Sequence, residues 1–296
     1  MQESEFALEV EGLNKRYERF ELKDVSFRIP RGYIMGFVGR NGAGKTTTIK
    51  CILDLIKGDS GTIRLFGEDQ AINRIGVRDR IGYVSEESYF YEDMTAAWTG
   101  KFVSRFYSRF DAKRFAGWLN RFQVDPGKKI KELSRGMKVK LSLALALSHE
   151  PELLILDEPT SGLDPVIRNE LLQVFLELIQ DERCTVFFSS HISSDMEKIA
   201  DYITLLDNGR VLLTSAKHEL LDKWTIVKAD NRFRSRELDT MLTGIKATDF
   251  GYSGIVQDPV RFRRMFSAAF PGSDFKTERL TIDELLLRLT REEVAS

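Results

Sequence analysis

A glycine-rich octapeptide constrains the fold of this chain more than any other segment. Residues 39–46 read Gly-Arg-Asn-Gly-Ala-Gly-Lys-Thr and match the pattern G-x-x-x-x-G-K followed by Ser or Thr. They follow an almost wholly apolar run at 33–38, the pattern of a strand buried on both faces, and precede a helix-compatible stretch at 46–56. A strand, a glycine loop and a helix in this order predict an α/β fold of the P-loop NTPase type.

The chemistry of this loop predicts a nucleotide. Glycines let the backbone fold round, so that successive N–H groups point at phosphate oxygens. Lys45 places a cation at the β- and γ-phosphates and is predicted as catalytic, while the Thr46 hydroxyl would ligate Mg²⁺. The helix that follows adds its positive N-terminal end. We therefore predict a site for ATP with Mg²⁺ formed by Gly39, Arg40, Asn41, Gly42, Ala43, Gly44, Lys45, Thr46 and Thr47.

Two acidic residues and a histidine follow apolar runs of strand length. Asp157 and Glu158 come directly after the apolar residues 153–156, and a carboxylate at the end of such a strand is where a P-loop fold holds magnesium. Asp157 fits that role, and Glu158 would point at the γ-phosphate and take a proton from the attacking water. His191 follows the next strand-length run, which predicts it at the same carboxyl-terminal edge. A capping acid and a structural histidine are the alternatives.

The remaining pattern predicts a parallel sheet with helices on its faces and further parts around it. Between residues 153 and 206, apolar runs of strand length alternate with helical stretches, as in parallel α/β proteins. Residues 6–10 and 24–29 alternate in the strand manner, whereas apolar residues at four-residue spacing predict helices within 88–149. We expect a nucleotide-binding domain at 1–221 and a small C-terminal α+β appendage at 222–296.

Composition excludes several classes of function and partner. The net charge of −1 gives no reason to expect a nucleic-acid partner, which normally leaves a basic patch. Cys51 and Cys184 lie far apart in apolar stretches, as reduced core cysteines of a cytosolic protein do, and a disulfide or metal pair is the alternative. The N-terminus lacks the pattern of a signal peptide, and no apolar run approaches the roughly 18 residues of a spanning helix. A cytoplasmic protein is expected.

One pentapeptide connects these motifs to a known family. At the start of a predicted helix, shortly before the Asp157 strand, the sequence reads Leu133-Ser134-Arg135-Gly136-Met137. It resembles the LSGGQ signature of ATP-binding-cassette (ABC) ATPases, and the alternative is an ordinary helix N-cap at Ser134. The resemblance covers about residues 5–215.

The resemblance implies further site residues. Tyr17 falls where the family places an aromatic ring that stacks on adenine, and Asp164 closes a segment at 161–164 that looks like the D-loop linking two nucleotide sites. Ser134 and Gly136 of one subunit would meet the γ-phosphate of ATP held by another. Glu86 stands where the family usually has a glutamine, and its oxygen could reach Mg²⁺ or a water on it.

Departures from the family pattern are few. Glu86 carries a charge that the usual glutamine lacks. Arg135 replaces the first glycine of the signature, and Met137 replaces its glutamine. Arg40 stands where proline is common, at a position that offers only its backbone to phosphate.

The resemblance also implies an architecture and partners. A P-loop core would carry an ABC-type antiparallel β subdomain and a helical subdomain. Because the chain has one cassette, it would pair with a second ABC subunit, either a copy of itself or a related chain. Together they would power an ABC transporter, most similar to bacterial exporters, through a separate integral membrane permease at the cytoplasmic face of the membrane. The alternative is a soluble ABC ATPase acting on ribosomes or DNA, but such proteins carry two cassettes or long insertions.

Two segments have more than one possible interpretation. The aromatic stripe from Met94 to Phe110 is predicted mainly as core of the helical subdomain. Part of it, with Phe90, Tyr91 and Trp98, would instead form a groove for a short helix of the permease. The appendage would serve dimer contact, which we favour slightly, or regulation, or capping of the sheet.

Overall fold

The computed structural model describes residues 4–70, 74–87, 89–180 and 182–292. The chain divides into two compact units, Met1–Leu213 and Thr214–Ser296. The sequence placed this boundary a few residues later, after residue 221. The difference arises because the helix Lys217–Lys223 falls in the second unit.

Strands and helices alternate along the first unit. Its strands are β1 (Phe6–Arg16), β2 (Glu21–Pro30), β3 (Ile34–Val38), β4 (Ser60–Leu65), β5 (Glu68–Asp69), β6 (Ile81–Val84), β7 (Leu153–Asp157), β8 (Thr185–Ser190), β9 (Tyr202–Asp207) and β10 (Arg210–Ala216). Its helices are α1 (Lys45–Ile52), α2 (Arg74–Arg78), α3 (Ala96–Val103), α4 (Ala112–Arg121), α5 (Arg135–Leu147), α6 (Pro165–Leu178) and α7 (Ser193–Ile199), with a short 3₁₀ segment at Ile130–Glu132.

A six-stranded sheet forms the centre of this unit, in the order β10-β9-β3-β8-β7-β6. The pairs β9–β3, β3–β8, β8–β7 and β7–β6 are parallel. Every residue of β3, β7 and β8 is buried, as expected for strands covered on both faces. The predicted P-loop type of parallel sheet is therefore confirmed.

A second sheet, in the order β2-β1-β4-β5, is antiparallel throughout. Its buried side chains join the central sheet in one apolar core. The ring of Phe27 on β2 lies 5.3 Å from that of Phe37 on β3 and 5.5 Å from that of Phe187 on β8. This is the antiparallel β subdomain that the family resemblance implied.

The helices of residues 88–149 differ from the sequence prediction in two respects. The aromatic stripe continues to Phe110, but α3 ends at Val103, and turns such as that from Phe106 N to the Val103 carbonyl oxygen follow it. The stripe is not a core either, because Met94, Trp98 and Phe106 are exposed. The prediction that this stripe is mainly core of the helical subdomain was therefore wrong.

Helix α1 is also shorter than predicted, because it ends at Ile52 and not at residue 56. Asp54, just beyond the helix, has a φ of 53°, in the left-handed region that commonly ends helices. The helices α5 and α6 begin within one residue of the predicted positions.

The second unit is a small α+β domain with ferredoxin-like topology. It contains α8 (Lys217–Lys223), β11 (Thr225–Ala229), a 3₁₀ segment (Asn231–Phe233), α9 (Arg236–Asp239), β12 (Thr243–Thr248), β13 (Gly251–Val256), α10 (Pro259–Ala269), β14 (Lys276–Arg279) and α11 (Ile282–Glu292). The antiparallel order β12-β13-β11-β14 is that of a β-α-β-β-α-β fold. The α+β prediction is confirmed, but β14 was missed because all its residues are polar and exposed.

A buried arginine holds the last helix of this unit to its sheet. Arg288 on α11 is 2% exposed and donates to the carbonyl oxygens of Gly244 at 2.9 Å and Ser253 at 3.1 Å. Its guanidinium also pairs with Glu284, one turn earlier in α11, at 2.6 Å. Its charge and its donors are therefore satisfied inside the unit.

We predict that Arg288→Met destabilises the second unit by about 2–4 kcal/mol, because the carbonyl oxygens of Gly244 and Ser253 lose a charged donor. Glu284, which also pairs with Lys246, loses a buried cation. Amide hydrogen exchange of the full chain should show faster exchange in β12, β13 and α11 and no change in β7 and β8. Arg263→Met is the control, since Arg263 is 54% exposed, pairs with the exposed Asp274 and lies over the ring of Phe275, which methionine can also cover. Unchanged exchange in Arg288→Met would contradict the assignment.

Candidate functional site

The parallel register brings the predicted site residues to one edge of the central sheet. Val38 at the end of β3 pairs with Ser190 on β8, and Ser189 pairs with Asp157 on β7. The glycine loop, Glu158 and His191 each follow directly at these strand ends. The carboxyl-terminal edge therefore collects the groups that the sequence placed there, as in other open α/β sheets.

The glycine loop lies in a space that only glycines fit at two positions. A Cβ at Gly39 would lie 2.4 Å from the carbonyl oxygen of Leu206 on β9. Gly44 has a φ of 110°, and a Cβ there would lie 2.6 Å from Leu22 and 2.8 Å from Phe20. The loop is thus clamped between β9 and the β1–β2 hairpin before α1 begins at Lys45.

Lys45 points into the loop that carries it. Its Nζ donates to the carbonyl oxygens of Gly39 at 2.7 Å and Arg40 at 3.3 Å. It also lies 3.0 Å from Oε1 of Glu158, and both side chains are nearly fully buried. A buried ammonium is thereby fixed between the loop and the end of β7.

Glu158 is the centre of the charged cluster. Its Oε2 lies 2.8 Å from Nδ1 of His191, and its backbone N–H is directed at Ser189 of β8, 3.2 Å from both the carbonyl and the hydroxyl oxygen. Its φ of 51° turns the chain sharply after β7. Its Oε1 is buried and accepts no hydrogen bond of ordinary geometry from any described residue, since the contact with Lys45 is close but poorly angled.

Asp157 is a buried carboxylate with two hydroxyl donors. Ser189 Oγ donates to its Oδ1 at 2.7 Å, and the Thr46 hydroxyl donates to it as well. Burial raises the pKa of Asp157 above its ordinary value of 3.8, although both hydrogen bonds oppose this shift. Because the buried carboxylate of Asp157 is costly to ionise in isolation, a cation beside it would be favourable. The Thr46 hydroxyl at the start of α1 offers such a cation a second oxygen.

Other predicted site residues lie elsewhere in the first unit. Tyr17 is exposed in the turn between β1 and β2, and Glu86 is exposed beyond β6. Ser134 caps α5 by accepting from Met137 N at 3.3 Å, and Asp164 caps α6 by accepting from Val166 N at 3.0 Å. No described hydrogen bond or ion pair of the chain joins these four residues to Lys45 or Glu158, so their roles at a nucleotide stay predictions.

The structure adds site residues that sequence reasoning missed. Ser189 bridges the ends of β7 and β8 through Asp157 and Glu158. Thr160 and Asp195 form a second, fully buried contact between the same two segments at 2.8 Å. The polar pair Ser189-Ser190 at the end of an apolar strand was the available signal for the first of these contacts.

Comparison with known proteins identifies the family of this chain. A family model described as ABC transporter matches residues 22–161. The ABC transporter ATP-binding protein YtrB of Bacillus subtilis (strain 168) is 34% identical over 203 residues, which cover 69% of this chain and 69% of YtrB. This chain belongs to the ABC transporter family of ATP-binding proteins. The bacitracin transport ATP-binding protein BcrA of Bacillus licheniformis is 38% identical over 190 residues, and the match spans 64% of this chain and 62% of BcrA.

The fold of this ABC protein is shared with solved structures. The structure of an ATP-binding subunit of an ABC transporter matches it with a TM-score of 0.65 and 30% identity, covering 72% of this chain and 91% of that one. Members of the family bind ATP and hydrolyse it, and this chain is an ATP-binding subunit with ATPase function. Among the helices in the described ranges, none has the length and apolar character needed to cross a membrane.

The raised pKa of Asp157 predicts how stability depends on pH. The folded protein keeps this proton to a higher pH than the unfolded chain, so the free energy of unfolding falls as pH rises between the two pKa values. The substitution Asp157→Asn removes the carboxyl group, so the free energy of unfolding no longer falls in this pH range. We expect the nucleotide-free variant to melt above wild type at about pH 7, by about 2–4 °C for each kcal/mol relieved, and to lose that advantage at about pH 4.

The same melting experiment tests the cation role. ATP with Mg²⁺ should raise the Tm of wild type much more than that of Asp157→Asn. Asp59→Asn is the control, because a hydrogen bond from Lys15 lowers the pKa of Asp59, so its removal should not raise the Tm. A lower Tm for Asp157→Asn than for wild type at neutral pH would contradict the account.

Proposed function

We propose that this chain hydrolyses ATP with Mg²⁺ at the cluster of Lys45, Glu158 and His191. The observation that carries the proposal is the position of Glu158, which contacts Lys45 at 3.0 Å through one oxygen and His191 at 2.8 Å through the other. A γ-phosphate attracted to Lys45 would come next to this carboxylate. Glu158 would then accept the proton of the attacking water, and His191 would hold the carboxylate in place.

Asp157 and Thr46 are the residues that fit Mg²⁺. Together they offer one buried carboxylate and one hydroxyl, and the described chain holds no group of three acidic, histidine or cysteine side chains arranged for a metal. Two protein ligands suit Mg²⁺, which usually keeps water and substrate phosphates in its remaining positions. When bound, the ion would neutralise charge on the β- and γ-phosphates. Glu86 is exposed beyond β6 and would join through water.

We further propose that the chain acts with a second ABC subunit. Ser134 is exposed at the N-terminus of α5, on a helix whose Gly136 packs directly against Ile167 of α6. Ser134 is therefore open to a partner's nucleotide, whereas Gly136 is buried in the single chain. Asp164, the N-cap of α6, is exposed as well. Tyr17, exposed on its turn, would stack on adenine. A copy of this chain and a related chain would both fit.

A row of aromatic side chains supports a membrane permease as the other partner. Tyr91, Trp98, Phe102 and Phe106 form a chain of ring contacts with centroids 5.2–6.0 Å apart. Three of them are substantially exposed, although such rings bury well in an interface. We propose that this aromatic row receives a short helix of a separate permease at the cytoplasmic face of the membrane. Because BcrA is named for bacitracin transport, we favour an antibiotic-like molecule as the exported substrate.

The catalytic assignment predicts the behaviour of Glu158→Gln. The variant keeps the shape of the side chain but loses its basicity, so turnover should fall by about 10²–10⁴-fold while ATP still binds. Phosphate release in steady state and equilibrium binding of labelled ATP measure the two quantities.

Glu177→Gln controls for removal of a carboxylate, since Glu177 is half exposed and pairs with Arg121 away from the site. It should hydrolyse ATP at the wild-type rate. If Glu158→Gln hydrolyses ATP normally, Glu158 is not the base.

The aromatic row predicts a separation of ATPase activity from membrane attachment. The double variant Tyr91→Ala and Trp98→Ala should keep its basal ATPase rate. Its binding to membranes of permease-expressing cells should fall by at least about 10-fold. Flotation of the membrane fraction measures this. Phe250→Ala is the control, because Phe250 is 92% exposed and lies in the second unit. Equal membrane binding of the double variant, or sedimentation of wild type with ribosomes, would reject the proposal.

A further inference from the structure

A fully buried carboxylate lies behind the catalytic pair. Asp195 on α7 is 0% exposed, and its Oδ2 accepts from Thr160 Oγ1 at 2.8 Å. Its Oδ1 accepts from Arg168 Nε on α6 at 2.6 Å. The second terminal nitrogen of Arg168 lies at 2.6 Å from the same oxygen and donates to Ser194 Oγ at 3.0 Å. Both carboxylate oxygens of Asp195 are therefore satisfied, and its charge is neutralised.

This network joins the two segments that carry the proposed base and its histidine. Thr160 follows Glu158 by two positions, and Asp195 follows His191 by four. The segments thus meet twice, once through Glu158 and His191 at 2.8 Å and once through Thr160 and Asp195. The first contact is open to solvent on the histidine side, whereas both members of the second are within 1% of complete burial.

Tight turns transmit the buried contact to the catalytic residues. Ser161 N donates to the carbonyl oxygen of Glu158 at 3.2 Å, so that Thr160 sits inside a turn that begins at Glu158. On the other segment, Asp195 N donates to the carbonyl oxygen of Ile192, the residue after His191, at 3.1 Å. A shift of the Thr160–Asp195 contact would therefore shift both catalytic side chains.

The polar residues of this buried network fix the geometry of the two segments more than they stabilise the fold. A buried ion pair is rarely more stabilising than apolar residues of the same size, because removing both charges from water is costly. A fully satisfied polar network, by contrast, permits one arrangement of its members. An apolar contact between the two segments would hold them together without fixing their register.

We propose that Asp195 is a positioning residue for ATP hydrolysis, which sets the separation of Glu158 and His191 through its bonds to Thr160 and Arg168. This inference depends on the roles proposed above for Glu158 and His191. We assign Asp195 no part in binding nucleotide, since the described hydrogen bonds and ion pair of its carboxylate go to Thr160 and Arg168 and none reaches the glycine loop.

Thr160→Val tests the inference, because valine has the shape of threonine but cannot donate to Asp195. Misplacing a catalytic group by about 1 Å can cost about 10²-fold in rate, so kcat should fall by about 10- to 100-fold. The KM for ATP and the affinity for ADP should stay within about twofold, since the contacts of Lys45 with Gly39 and Arg40 inside the glycine loop are untouched. Thr160→Ser, which restores the donor, should recover most of the rate. Asp195→Asn, which keeps an acceptor but removes the charge opposite Arg168, should also lower kcat and spare the KM.

A matched control separates positioning from general destabilisation. Thr185 is buried to the same degree at the opposite end of β8, where its Oγ1 accepts from Gly32 N at 3.0 Å. Thr185→Val should lower the Tm by an amount similar to Thr160→Val but leave kcat within about twofold. Steady-state hydrolysis by the full chain, with Tm measured on the same samples, gives all these values.

Three results would overturn the inference: an unchanged kcat in Thr160→Val, an equal loss of kcat in Thr185→Val, or no recovery in Thr160→Ser. Glu158→Gln assayed in parallel separates this failure from a failure of the proposed function. A slow Glu158→Gln with a normal Thr160→Val rejects only the role of Asp195, whereas a normal Glu158→Gln rejects the assignment of the base itself.

Discussion

The parallel pairing of β3, β8 and β7 is the constraint on which the rest of the site depends. Because parallel strands end at the same edge, the residues that follow each of them must meet there. The pairs Val38 with Ser190 and Asp157 with Ser189 fix this meeting to within one residue. A slip of one position in β7 would turn each of its side chains to the other face of the sheet and reverse the directions of Asp157 and Glu158. The complete burial of these strands opposes such a slip, so the core of the sheet and the geometry of the site have the same cause.

The charges at this edge are held in a mutually compensating arrangement. Lys45 and Glu158 are almost fully buried, and either would be strongly disfavoured without the other. Lys45 affects Asp157 less than the loss of water does, so burial raises the pKa of Asp157. We infer that the site accepts a ligand with two features: negative oxygens that attract Lys45, and a cation that neutralises Asp157. ATP with Mg²⁺ has both. The apolar and glycine-rich surroundings strengthen these interactions, because they lower the local dielectric constant.

Much of this could be predicted from the sequence, and the exceptions have physical reasons. The glycine loop, Asp157, Glu158 and His191 follow apolar runs whose burial and register are readable as a pattern. The end of α1 at Ile52 and the polar strand β14 were missed. The first depends on Asp54, a left-handed residue other than glycine, and the second has no apolar periodicity. The exposure of Trp98 and Phe106 could not be foreseen, because the same aromatic spacing serves a core or a surface. Thr160 and Asp195 are far apart in sequence, and only the folded α6 and α7 bring them together.

The central claim is that Lys45 and Glu158, now paired, share a γ-phosphate when nucleotide binds. A structure of the full chain carrying Glu158→Gln, bound to ATP and Mg²⁺, tests it most directly. The account predicts that Lys45 Nζ leaves the carbonyl oxygen of Gly39 for phosphate oxygens, that the metal contacts Thr46 and Asp157, and that residue 158 faces a water in line with the γ-phosphorus. Nucleotide bound away from the glycine loop, or a metal held without Asp157, would contradict it.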